Sequence, residues 1–89
     1  MKIFVVGDCS PEHHTIQNIH KTMKGALKAW QEKRKELLED AEYMLTTEQS
    51  GSGKEMYERM IENLKCKDPD EMNNFPHDTP FIEIHKLEE

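Results

Sequence analysis

The residues best equipped for chemistry are two cysteines and the histidines near them. Cys9 stands just ahead of Ser10-Pro11-Glu12, a combination that opens helices, and His13 and His14 follow at once. A thiol at a helix N-terminus is biased toward thiolate, and a neighbouring imidazole is placed to act as its base. The two sequence patterns that would complete such a nucleophile are missing: C-x5-R needs arginine where Thr15 stands, and no C-x-x-C occurs. Free structural thiols are therefore expected. Cys9, His13, Cys66 and His77 also comprise the ligand types that zinc accepts. Cys9 and His13 are spaced as C-x3-H, but ten residues separate Cys66 from His77, which is not the spacing of a second chelating pair. The expectation is no catalytic residue, no metal and no cofactor.

Two other motifs bear on phosphate chemistry. His13-His14-Thr15 and His77-Asp78-Thr79 each contain H-x-T, which resembles the paired signatures of the two-histidine phosphoesterases. That resemblance implies histidines as acid and base and hydroxyls that hold a phosphate, with both motifs on strands of a duplicated sheet. Here the first copy is expected to open a helix and the second runs into Pro80. Gly51-Ser52-Gly53-Lys54 resembles the end of a phosphate-binding loop, yet Glu48 stands at the position of its first glycine and Glu55 at that of its final hydroxyl. A flexible connection between helices accounts for it better.

A third arrangement concerns binding. At about 100° per residue, Lys21, Lys24, Lys28 and Lys35 fall within a sector of roughly 60° on one helix face, opposite the apolar stripe. The segment from Lys21 to Lys35 carries Lys33 and Arg34 as well, with Glu32 as its only acid, whereas the residues from Asp68 to Glu89 hold Lys86 against seven acids. A row of ammonium groups keeps a helix soluble. It also attracts an acidic surface or phosphates without demanding exact geometry.

These residues need elements to hold them. Ile3 to Val6, closed by Gly7-Asp8, predicts a strand covered on both faces. A long amphipathic helix is predicted from about Glu12 to Leu45, because Ile16, Ile19, Met23, Leu27, Trp30, Leu37 or Leu38, Ala41 and Leu45 recur at intervals of three and four. Arg34 alone interrupts the stripe. Such a helix would be roughly 50 Å long, so either it breaks at Gly25 or it projects, and the unbroken period favours projection. Thr46 to Gly53 predicts a turn, Met56, Met60, Ile61 and Leu64 a second helix, and Asp68-Pro69-Asp70-Glu71 a short capped turn. Phe81 to Leu87 predicts a final strand whose Glu83 and Lys86 suit a sheet edge. The fold class expected is α+β: a helix-dominated β-α-α-β domain over residues 1–89, with a helical hairpin and a two-stranded element from the chain ends.

The chain has 89 residues, of which 35% are hydrophobic and 34% charged, so one copy encloses only a thin core. A homo-oligomer, a dimer in the first instance, is expected, with Trp30 and Leu37 in its apolar contact. The formal charge of −6 argues against general binding to nucleic acid. No membrane span and no signal peptide is evident, which predicts a cytoplasmic protein. The leading functional expectation is a non-enzymatic binding protein, a regulator or inhibitor of a larger macromolecule. A binder of phosphorylated ligand, nucleotide or RNA, through Lys21, Lys24, Lys28 and Lys35 is second. A small metal- or histidine-dependent phosphoesterase-like enzyme is third.

Overall fold

A computed structural model describes residues 1–10, 13–72 and 78–87, without the side chain of residue 13. Pro11, Glu12, Asn73, Asn74, Phe75, Pro76, His77, Glu88 and Glu89 lie outside the described residues. Five elements follow in chain order: β1 (Lys2–Ser10), β2 (His13–His20), α1 (Met23–Thr47), α2 (Gly51–Leu64) and β3 (Thr79–Lys86). The class is α+β, and strands from the two ends of the chain pair as the sequence predicts.

The run Ile3 to Val6 is apolar on both faces because β1 is the central strand of a three-stranded antiparallel sheet, ordered β2-β1-β3. Val6 packs under α1 with Ala26 and Trp30, while Val5 points to the opposite face between Ile19 and Glu83, its partners in the two neighbouring strands. Both valines are buried.

β2 replaces the predicted first turns of the long helix, and the cause is a bulge. Ile19 pairs with Val5 and Ile16 with Gly7, but the register shifts between Val6 and Gly7, so Gln17 is the extra residue. Val5 and Gly7 lie two apart and share a face. The bulge therefore brings Ile16 and Ile19, three residues apart, to one side of a strand, the spacing that otherwise marks a helix. The helix begins instead at Met23. Thr22 caps it, its Oγ1 accepting a hydrogen bond from the Gly25 N–H at 3.1 Å, so Gly25 sits in the first turn and breaks nothing.

α1 buries Ala26, Trp30, Arg34, Leu37 and Ala41. Trp30, Leu37 and Ala41 belong to the stripe expected from periodicity, whereas Met23 and Leu27 are exposed and Ala26 is buried instead. Its lower part rests on the sheet. Its upper part pairs with α2, where Leu37, Ala41, Met60 and Leu64 form a second cluster. Met72 packs against both clusters and joins them. Arg34 is the polar exception, 4% exposed, and it ties the hairpin: Nη1 donates to the Leu64 carbonyl at 2.8 Å and Nε to Gln31 Oε1 at 2.8 Å. A cation there suits the C-terminal carbonyls of α2, which have no partner within their own helix.

The hairpin projects. α1 is about 37 Å long at 1.5 Å per residue. The molecule measures 53 × 23 × 19 Å, and its radius of gyration of 14.3 Å exceeds the roughly 12 Å of a compact domain of this length.

Candidate functional site

Three places bring chemistry-bearing side chains together. The first is the lysine row. Lys24, Lys28 and Lys35 are exposed along α1, and Lys21 is exposed in the turn before it. Helical geometry sets the row roughly 140° from the centre of the buried stripe. Lys33 lies on a different face, half-buried and 3.6 Å from Glu36. Glu39 and Glu42 continue the line of the row toward the tip of the hairpin, so the positive field is confined to the sheet-proximal half. Trp30 and Leu37, the residues expected at a contact between copies, are packed inside this chain: Trp30 is fully enclosed and Leu37 is 6% exposed.

The second place is the sheet face turned away from the helices. Cys9 pairs with His14 on one side and Thr79 on the other, so parts of both H-x-T motifs flank β1. This corrects the expectation for the first motif, which lies on a strand and opens no helix. Cys9 lies within β1, and among the described residues no helix N-terminus stands beside it. Burial, then the nearby carboxylates of Asp8, Glu83 and Asp78, push its thiol above the usual range, the reverse of the activation that a helix dipole would supply. The His14 ring stacks on Phe81 with centroids 4.3 Å apart and planes at 15°, and its Nε2 lies 2.9 Å from Glu83 Oε1. Gly7 makes this possible. A Cβ there would stand 2.8 Å from Phe81 Cζ and collide with the Thr15 carbonyl, so only glycine lets the ring lie across the central strand. The result is a strap between the two edge strands. Thr79, the second motif's hydroxyl, is buried at 3%. Cys66 follows α2, where its Sγ lies 3.4 Å from the Asp68 carbonyl, and both cysteines are free thiols. Among the described residues no group of three or more His, Cys, Asp or Glu side chains is arranged to hold a metal ion.

The glycine-rich segment 51–54 opens α2, and side chains hold amides just before the helix and one within its first turn. Ser50 Oγ accepts from the Gly53 N–H at 3.1 Å, and Glu48 Oε1 accepts from the Gln49 N–H, the Ser50 N–H and the Ser50 hydroxyl. The hydrogen bonds from Ser50 hold the Glu48 carboxyl below its ordinary 4.5. A side-chain carboxylate thus takes the place that a phosphate would need.

The third place was not foreseen. Met23 and Leu27 of α1, Ile82 and Ile84 of β3, and Asp68 and Asp70 line a groove of about 300 Å³ beside the open edge of β3. The signal in the sequence was the alternation Ile82, Ile84, Lys86 on one face and Phe81, Glu83, His85 on the other, which locates a strand but not what faces it. No helix among the described residues is long and apolar enough to cross a membrane. Compared with family models, with curated proteins and with solved structures, the chain finds no significant match.

Proposed function

We propose that the protein is a non-enzymatic binding protein that holds an acidic surface of a larger macromolecule against the lysine row of α1. The observation that carries this reading is the exposure of Lys24, Lys28 and Lys35 on the side of a braced helix turned away from its core. Arg34 and the Leu37–Leu64 cluster fix α1 against α2, so the ammonium groups are displayed on a rigid rod and little order is lost when a partner docks. Positive charge in one stretch of an acidic chain steers a negative partner to that stretch. An acidic protein is favoured over a nucleic acid, because stacking on bases requires an aromatic platform beside the lysines: Trp30 is enclosed, and the exposed Tyr43 lies beyond Glu39 and Glu42 toward the acidic tip of the hairpin.

Charge reversal tests the proposal. The variant carrying Lys21→Glu, Lys24→Glu, Lys28→Glu and Lys35→Glu keeps its helical circular dichroism, since exposed substitutions cost within about 0.5 kcal/mol each. Partners captured by the wild type at low salt are lost by the variant, chiefly through slower association. Full retention by the folded variant shows that the row only solvates the helix. Retention of RNA in the capture, with steep salt dependence, moves the reading to a phosphate binder.

A further inference from the structure

We propose that the groove beside β3 and the open edge of that strand form the surface on which two copies of this chain pair, strand against strand, into one continuous antiparallel sheet. Among the described residues β3 is an edge strand, with β1 on one side only. Leu87 exchanges both backbone hydrogen bonds with Met1, its N–H donating to the Met1 carbonyl at 2.8 Å and the Met1 amino group to the Leu87 carbonyl at 3.5 Å. Along an antiparallel strand such pairs alternate, so the odd-numbered residues of β3 bond to β1 and Ile82, Ile84 and Lys86 direct their N–H and C=O groups outward. An edge with two apolar residues at its outward positions is a template for another strand.

The sequence of β3 is complementary to itself when reversed about Ile84. Ile84 then faces Ile84 of the second copy, and Ile82 faces Lys86 on each side, which gives about six backbone hydrogen bonds at two per pair. Glu83 faces His85 across the other surface of the sheet, at the closer, non-hydrogen-bonded spacing. Ile84 is 55% exposed, Met23 38% and Leu27 36%, so the second Ile84 covers apolar surface that is open in one copy. Lys86 shares the helix-side face of β3 with Ile82 and Ile84, because its partner Lys2 shares a face of β1 with Phe4 and Val6, the partners of Ile84 and Ile82. Set beside Ile82 of the opposite copy, Lys86 reaches the rim of the groove where Asp68 and Asp70 stand. A lysine that guards the edge in a single copy becomes the counter-charge of the acidic rim in a pair. The lysine row of α1 takes no part, so this surface and the partner-binding proposal fail independently.

The test is the oligomeric state of the full chain by sedimentation, with three variants. The wild type sediments as a dimer in the micromolar range. Ile84→Pro removes an outward N–H and spares the bonds to β1, and it yields a monomer with unchanged helical circular dichroism. Lys86→Glu weakens the dimer about tenfold, and adding Asp70→Lys restores it. Ile84→Cys forms a cross-linked dimer on mild oxidation, which the wild type under the same oxidant does not, because facing residues of a hydrogen-bonded pair lie about 5.5 Å apart. A wild type that stays monomeric overturns the proposal. So does a dimer that survives both Ile84→Pro and Lys86→Glu and fails to cross-link through Ile84→Cys.

Discussion

Replacing Arg34 by methionine isolates what a buried guanidinium contributes to the hairpin. Methionine keeps most of the aliphatic stem and its packing, so the loss falls on the polar contacts. The hydrogen bond from Nη1 to the Leu64 carbonyl is charged, buried and 2.8 Å long, and such bonds contribute about 1.5–3 kcal/mol. The bond from Nε to Gln31 adds about 1 kcal/mol. Leu64 is fully buried, so its carbonyl has no water to turn to once the donor is gone. Against these losses stands the relief of holding a cation away from water, which returns part of the sum. The net expectation is a destabilisation of about 2 kcal/mol, and for a chain of this size that lowers the unfolding midpoint by about 8–16 °C. Thermal unfolding followed by circular dichroism, with Trp30 fluorescence as a second probe, measures it. Arg34→Lys retains the charge near the end of α2 but loses the fork, and falls between wild type and methionine. A methionine variant that melts within about 0.5 kcal/mol of wild type would refute the claim that Arg34 ties α2 to α1.

Other perturbations have equally definite outcomes. Gly7→Ala destabilises by about 3 kcal/mol, because the added methyl meets a backbone carbonyl as well as the Phe81 ring; an intact His14–Phe81 ring-current shift in the variant would count against the strap. Leu64→Ala costs about 2–5 kcal/mol in urea unfolding, since it empties the centre of the α1–α2 cluster. Glu48 has a folded-state value below its ordinary 4.5, so its contribution to the start of α2 is fully present above that pH and is lost as pH falls through the lower folded value. The protection of the Ser50 and Gly53 amides, relative to their intrinsic exchange, therefore falls below pH 4.5 in the wild type, and Glu48→Gln removes that acid step. Cys9, with its thiol pushed up by burial and by Asp8, reacts slowly with alkylating reagents near neutral pH; fast labelling of the folded chain would contradict its placement in β1.

What the sequence determined lies where structure is local. The apolar positions 30, 37 and 41 repeat with the period of a helix, the Gly/Ser turn separates two such periods, and the β-branched runs near both ends have the alternation or the double-sided burial of strands. The lysine row was legible for the same reason: a helix fixes which residues share a face. Tertiary structure decided the rest. Residues 13–20 became a strand because β1 offered an unpaired edge, and the bulge at Gln17 disguised their period as helical. Arg34 looked like an interruption of the stripe, and only the fold back of α2 supplied the Leu64 carbonyl that makes it a brace. The groove exists because residues 23–27, 68–70 and 82–84 converge from three separate parts of the chain. Helical period is set by neighbours three and four residues away, whereas strand partners, edges and clefts are set by contacts between residues such as Phe4 and Ile84, whose proximity no local pattern encodes.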